Sequence, residues 1–352
     1  MKTIILTGGG TAGHVMPNVA LLPSLRKEFK KIYYIGTEKG IESSIIKKEK
    51  DVVFIPIKAS KLIRKFTLKN LMLPLKLLSS ICECKKILKE LKPSAIFSKG
   101  GYASVPVVIA AKKLKIPVVS HESDLSMGLA NKIIYRYCKS MCTSFLETSK
   151  GKNKCVCTGS PIRESLLHGQ KSKVLNKFNQ NKKLKTILFF GGSLGAGKIN
   201  EVVFSSLDDL TKKYNVLHIT GKKNMRQTKC YKNYFQTEFA NNIEDFFDAC
   251  DLAVCRSGSN SIFELLALKK RMLLIPLPKE ESRGDQIENA FYFKKKGYAD
   301  VLEQKNLSKE NLIAKIDDCL KKGPIEIGKS ESNIQLANQK ILEQINKAII
   351  EC

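Results

Sequence analysis

"IILTGGGTAGH", residues 4–14, is an apolar run followed by Gly8, Gly10 and Gly13 in G-x-G-x-x-G spacing. A β-branched run that feeds a tight glycine turn and then a helix opens a nucleotide-binding βαβ unit, because the turn lets backbone N–H groups approach a phosphate. A dinucleotide site also needs an acid at the end of the second strand to hold the ribose. That strand, within "KIYYIGTEKG" at residues 31–40, ends in Gly36 and Thr37, and Glu38 lies beyond it. The fold reading stands; the dinucleotide reading weakens. His14 follows the third glycine, ahead of Pro17, which suits the first turn of a helix. A redox loop gains nothing from an imidazole there. A transferase gains a group that takes a proton from an acceptor hydroxyl near neutral pH, the alternative being that His14 caps or packs.

Outward from this stretch, short apolar runs alternate with helical patterns. "KTIILT", "KIYYIG", "VVFIPI", "SAIFS" and "IPVVSH" read as buried parallel strands, and a second series follows with "KTILFFGG", "YNVLHIT", "LAVCRS" and "RMLLIPL". Between them "TGSPIRESLLHGQKSK", residues 158–173, reads as a linker. The expected fold is α/β, with two Rossmann-like doubly wound parallel-sheet domains facing a central cleft. Residues 1–160 form the first, residues 161–335 the second, and a C-terminal helix over 336–352 packs back toward the first.

The chain has 352 residues, 43% of them hydrophobic, enough for two separate cores. No apolar run is long enough to span a bilayer, and Ile4–Leu6 is too short for a signal peptide, so a cytoplasmic location is expected. Eleven cysteines show no C-x-x-C pair with a matching partner, so reduced thiols and no metal are expected. Lys+Arg 61 against Asp+Glu 33 gives a net charge of +28, a field that attracts nucleic acid, an anionic membrane or a phosphate-bearing substrate. The lysines are scattered and not interleaved with aromatics, which argues against a nucleic-acid groove.

A second glycine turn opens the second half. Gly192 to Lys198 satisfies G-x-x-x-x-G-K, but Ile199 stands where a Walker A loop needs Ser or Thr. What survives is a turn into a helix N-terminus, suited to a diphosphate, with Ser193 as a hydroxyl donor. "SKGGYASVP" brings Tyr102 and "SHESDLSMG" brings His121, Glu122 and Asp124 to the same strand edge as His14. In "CRSGSNSIFELLAL" Glu264 suits either a ribose diol or, with Ser261, a capping box. "SRGDQIENA" offers the amides of Gln286 and Asn289 to sugar hydroxyls.

Together these motifs resemble one family. "GGTAGHVMPNVAL", residues 9–21, is similar to the G-G-T-G-G-H-x-x-P signature of the MurG family. Its members are GT-B glycosyltransferases of family 28, the UDP-N-acetylglucosamine:undecaprenyl-pyrophosphoryl-muramoyl-pentapeptide N-acetylglucosaminyltransferases. "GGYAS", "HESD", "TGSPIR", "GGSLGA", "CRSGSNSIFE" and "DQIENA" follow in the family's order over nearly the whole chain. The resemblance implies an inverting transfer of N-acetylglucosamine from UDP-GlcNAc to the 4-hydroxyl of MurNAc in lipid I, giving lipid II for peptidoglycan, with no cofactor. It implies donor contacts at Thr11, Ala12, Gly13, Asp124, Arg163, Ser193, Ala240, Ser259, Asn260, Ser261, Ile262, Phe263, Glu264 and Gln286. Glu264 would take the ribose, Gln286 the sugar, and Ala240 would lie near the uracil. Gly10, His14, Tyr102 and Glu122 fall on the acceptor side, with His14 the expected base and Glu122 the second choice. The chain departs from the pattern at Ala12 (usually glycine), Asp124 (usually asparagine) and Ala240 (usually isoleucine). The membrane-borne acceptor implies peripheral docking on the anionic inner face of the cell membrane, for which "KASKLIRKFTLKNLMLPLKLLSS", residues 58–80, is a candidate. No nucleic-acid partner is expected, and another lipid acceptor such as diacylglycerol is the alternative.

Overall fold

Alternate residues of the first strand, β1 (Thr3–Thr7), enter different cores: Ile4 and Leu6 join one apolar cluster and Ile5 another. A strand covered on both faces is what a parallel sheet between two helical layers requires. The structure, a computed structural model, describes residues 2–60, 73–178, 180–192, 195–328 and 336–351. The chain divides into two units, Met1–Ile162 with Asn333–Cys352, and Arg163–Ser332.

In the first unit β2 (Lys31–Thr37), β3 (Val52–Ile57), β4 (Ala95–Ser98), β5 (Val118–Glu122), β6 (Ser140–Thr143) and β7 (Cys155–Cys157) complete a parallel seven-stranded sheet. Its order is β3-β2-β1-β4-β5-β6-β7. Helices Leu73–Leu91 and Ser104–Lys113 cover one face through Cys84, Leu88 and Val107. Helix Met16–Glu28 covers the other, joined by helix Ala337–Ile350, whose Ile341, Ile345 and Ala348 enter the core beside Ile4 and Leu25. Asn338 ties this last helix down, accepting from the backbone of Ile162 at 3.1 Å and donating to Ala20 and Ile162 carbonyls. Ile345→Ala should therefore cost about 2–5 kcal/mol of stability in denaturant unfolding. An unchanged midpoint would show that the helix adds nothing to the core.

In the second unit β8 (Lys185–Phe190), β9 (Tyr214–Ile219), β10 (Tyr234–Thr237), β11 (Leu252–Cys255), β12 (Arg271–Leu274) and β13 (Ala299–Val301) form a parallel sheet. Its order is β10-β9-β8-β11-β12-β13. His218 crosslinks this core, its Nδ1 3.1 Å from the Tyr234 hydroxyl and its Nε2 3.0 Å from Asn200 Oδ1. Burial pushes its imidazole down to about 3, so it is a neutral packing group.

Strands β6, β7, β10 and β13 are absent from the sequence reading. They are three or four residues long, and β7, β10 and β13 are edge strands. The equally short β4, β11 and β12 are legible because they are apolar runs inside their sheets, whereas β6, β10 and β13 carry Ser140, Gln236 and Asp300 and β7 is only three residues at an edge. The strand order reverses between β1 and β4 in the first sheet and between β8 and β11 in the second. In open α/β sheets a ligand crevice lies outside the carboxyl ends of the strands at such a reversal.

Candidate active site

At the β1/β4 reversal the glycine loop leaves no room for side chains. A Cβ on Gly8 would stand 2.3 Å from the His14 carbonyl oxygen, and one on Gly101 would stand 2.3 Å from that of Gly9. Gly10 has φ +93° and Gly101 φ +82°, which glycine alone adopts freely. The β1 and β4 loops thus meet backbone to backbone. Residues Ala12–His14 then make one turn of 3-10 helix, and Pro17 sits at the start of the helix that follows. The Thr11 hydroxyl lies 2.9 Å from His14 Nδ1 and so orients the half-buried ring. Asn18 anchors the turn from behind, donating to Thr7 and His14 carbonyls, while the buried Tyr34 hydroxyl donates to Gly8 at 2.8 Å.

Tyr102 packs against Gly10, where an added Cβ would touch the ring at 2.9 Å, and its hydroxyl is 3.4 Å from Thr37 Oγ1. Glu122, at the end of β5, is buried. Its oxygens accept from Asp124 N at 3.0 Å, Gly128 N at 2.9 Å and Asn131 Nδ2 at 2.9 Å. Burial raises its carboxyl above the ordinary range, Asp124 adds to the rise, and the hydrogen bonds and Lys99 oppose it. A carboxylate held by so many donors shapes the Asp124–Gly128 loop. His121 is also buried, with Nε2 2.9 Å from the Gly159 carbonyl oxygen, and burial holds it well below its usual value. Beneath the same loop lies Lys99, a buried lysine the sequence reading passed over, whose ammonium donates to Ser123 Oγ. Burial pulls it down to about 8, against the pull of Glu122 and Asp124.

In the second unit a Cβ on Gly195, φ +81°, would stand 2.2 Å from the Thr220 carbonyl oxygen, so the glycine turn after β8 packs on the next strand's end. Ser193 lies outside the described residues. Helix Ser259–Ala267 starts at Gly258 with no side-chain cap, which places Ser261 and Glu264 inside it and removes the capping-box reading. Glu264 Oε1 instead accepts from Arg163 Nη2 at 3.0 Å and Nε at 3.2 Å. Burial raises the Glu264 carboxyl, with Arg163 opposing. Ser259 and Asn260 occupy the first turn. Ile262 and Phe263 are buried, Phe263 edge-on to Phe293 at 5.4 Å, so their side chains are core and only their backbone is available to a ligand. Gln286 Oε1 accepts from Leu277 N at 3.1 Å, which joins the start of helix Asp285–Lys295 to the loop after β12. Arg256, also absent from the sequence reading, bridges the Ile275 carbonyl at 3.1 Å and Gln304 at 2.5 Å. Ala240 lines a cavity of about 390 Å³ beyond β10, with Lys173, Lys177, Phe235, Phe239 and Asn242.

The sequence-predicted residues thus fall into groups by unit. Gly10 with Tyr102, Thr11 with His14, and Glu122 with the Asp124 backbone lie on the first. Arg163 with Glu264, and Ala240, Ser259 and Gln286, lie on the second. Two doubly wound parallel units, each with a glycine turn at its strand reversal, are the halves of a GT-B fold. Residues 4–143 match the glycosyltransferase family 28 N-terminal domain and residues 186–345 the C-terminal domain. The chain belongs to this family. It is 46% identical over 354 residues to the UDP-N-acetylglucosamine--N-acetylmuramyl-(pentapeptide) pyrophosphoryl-undecaprenol N-acetylglucosamine transferase of Clostridium botulinum (strain Kyoto / Type A2), covering 99% of each chain. To the protein of that name in Clostridium tetani (strain Massachusetts / E88) it is 48% identical over 322 residues, covering 90% of this chain and 89% of that one. The crystal structure of Acinetobacter baumannii MurG shares the fold with a TM-score of 0.75 at 24% identity, covering 99% of this chain and 100% of that one. A UDP-GlcNAc 2-epimerase from Neisseria meningitidis, bound to UDP-GlcNAc, does so with a TM-score of 0.68 at 14% identity, over 99% and 100% of the two chains.

Proposed function

We propose that the protein transfers N-acetylglucosamine from UDP-GlcNAc to the 4-hydroxyl of MurNAc in undecaprenyl-pyrophosphoryl-MurNAc-pentapeptide, forming lipid II with inversion. The observation that carries this reading is the 46% identity along the full chain to a transferase of that name. His14 takes the proton of the attacking hydroxyl as that oxygen bonds to the anomeric carbon. The bond from this carbon to the diphosphate breaks and UDP leaves. Arg163 and the N-terminus of helix Ser259–Ala267 stabilise the charge that develops on the diphosphate. Glu264 accepts the ribose hydroxyls, Gln286 binds the sugar, and the cavity beside Ala240 takes the uracil. Thr11, Ala12, Gly13 and Asp124 complete the donor contacts, with Gly10 and Tyr102 on the acceptor side. Glu122 serves by holding its loop. Calorimetric titration with UDP-GlcNAc and UDP, followed by transfer of labelled sugar to lipid I and to diacylglycerol, tests this. Transfer to diacylglycerol and not to lipid I would overturn it.

The acceptor places the protein on the cytoplasmic face of the cell membrane as a peripheral protein. Among the described residues no helix is long and apolar enough to cross a membrane. Helix Leu73–Leu91 exposes Leu75 by 67% and Leu78 by 56%, beside Lys76, and the net charge of +28 suits anionic lipid. Of the docking segment expected over residues 58–80, residues 61–72 lie outside the described residues. Replacing Leu75 and Leu78 by Glu should lower binding to phosphatidylglycerol vesicles by about tenfold or more in a flotation assay, since each buried leucine contributes roughly 1.5–3 kcal/mol. Unchanged flotation would move the docking surface elsewhere.

A further inference from the structure

An acid stands five residues beyond the end of β2, as Glu42, and it is turned inward. Glu42 is fully buried on the short helix Ile41–Ile46. Its Oε1 accepts from the Thr37 backbone N–H at 3.0 Å and the Thr37 hydroxyl at 2.6 Å, and its Oε2 accepts from the Gly10 N–H at 3.3 Å. Three glycines make room for it. A Cβ on Gly9 would stand 2.5 Å from Oε1, one on Gly40 2.3 Å from the carboxyl carbon, and one on Gly36 2.7 Å from Cγ. The Thr37 hydroxyl donates to Glu42, so at 3.4 Å it can accept from Tyr102, which packs on Gly10. One buried anion thus joins the loop after β1, the end of β2 and the loop after β4.

We infer that Glu42 is a positioning residue for the transfer: its carboxylate takes the seat beneath the first glycine loop and fixes the turn that presents Thr11 and His14. In a nucleotide-binding unit the corresponding N–H groups face a ligand phosphate; here Gly10 N–H serves an internal carboxylate. The inference rests on the transferase reading only for its kinetic consequence.

Glu42→Gln keeps the volume and removes the fit. Whichever way the amide is turned, its NH2 faces either the Gly10 or the Thr37 N–H, donor against donor. Expected is a fall in kcat for transfer to lipid I of roughly 10- to 100-fold, because a displacement near 1 Å has that effect on an oriented reaction. KM for UDP-GlcNAc should rise by a smaller factor than kcat falls, because Thr11, Ala12 and Gly13 supply only part of the proposed donor contacts and the rest lie on the second unit. The Gly10 amide, followed in selectively labelled protein by NMR, should shift upfield and exchange faster, whatever the activity. Thr37→Val, which removes one donor and leaves the Gly10 contact, should give a smaller fall, and it carries the test should Glu42→Gln not fold. Wild-type kcat with an unchanged Gly10 amide overturns the inference. So does a fall in activity that only tracks the loss of folded protein. If the wild-type protein fails to use lipid I, the functional reading falls instead, while the Gly10 amide still decides whether the carboxylate holds the loop.

Discussion

His14→Ala lowers the rate of transfer from UDP-GlcNAc to lipid I by about 10²- to 10⁴-fold, the range a positioned general base contributes. UDP binding changes little, because the diphosphate and ribose contacts are assigned to Arg163 and Glu264. The expectation discriminates between the two acceptor-side candidates. His14 is half-buried at the mouth of the glycine loop, with Nδ1 beside the Thr11 hydroxyl. Glu122 is buried, and its oxygens already accept from Asp124 N, Gly128 N and Asn131 Nδ2. A base must reach the proton it takes, and a carboxylate closed in by its own loop does not. Thr11→Val removes the group that orients the imidazole, along with any donor contact of that hydroxyl, and at saturating donor should cost about fivefold, the worth of one neutral hydrogen bond near 1 kcal/mol. Single-turnover rates with saturating donor separate this from binding. A His14→Ala protein that transfers at the wild-type rate would remove His14 from the mechanism, and a dead Glu122→Gln protein with an intact loop would install Glu122 instead.

Why these residues differ in legibility follows from how each is held in place. The strands β1, β4 and β5 announce themselves because both faces are buried and the runs are apolar, and the edge strand β3 does so through its β-branched run although Val53 is exposed, while β7, β10 and β13 are short edges that offer no such run. Local chemistry was also readable: the glycine turn and Pro17 at the start of a helix are determined within a few residues. Glu264 shows the limit of local reading. Its spacing from Ser261 suggests a cap, yet the helix starts earlier and the carboxylate pairs with Arg163, 101 positions away in sequence. No periodicity encodes such a partner. Lys99 and Glu42 are illegible in the sequence for a related reason. A charged residue just beyond a strand end, on a loop or a short helix, reads as solvated, and only the packing of three strand ends shows that both are buried and matched by buried donors or acceptors.

Glu264→Gln weakens UDP and UDP-GlcNAc binding by about 100-fold, since a carboxylate that accepts two ribose hydroxyls loses hydrogen bonds worth roughly 1.5 kcal/mol or more each. The existing pair sets the terms. Arg163 Nε and Nη2 both bind Glu264 Oε1, with side chains only 21% and 13% exposed. Both bonds go to Oε1, so Oε2 can accept a ribose hydroxyl with the pair intact, and Oε1 accepts the second as the diphosphate draws the guanidinium toward its anionic oxygens. Arg163→Ala then harms binding twice, by removing the diphosphate contact and by leaving Glu264 without its cation. The double variant should therefore bind better than the sum of the two single losses, with a coupling of about 1–3 kcal/mol. The pH dependence has two opposite parts. Burial raises the Glu264 carboxyl above its unfolded value, with Arg163 opposing, so its contribution to folding stability is present in acid and is lost as pH rises through the raised value. Donor binding needs the ionised form, so affinity is present above the raised value and declines as pH falls through it, beginning at a higher pH in Arg163→Ala. Calorimetry and thermal unfolding across the same pH series should thus move in opposite directions at this group. UDP affinity that is flat across that range, or a Glu264→Gln protein that binds UDP as the wild type does, would take the ribose away from Glu264.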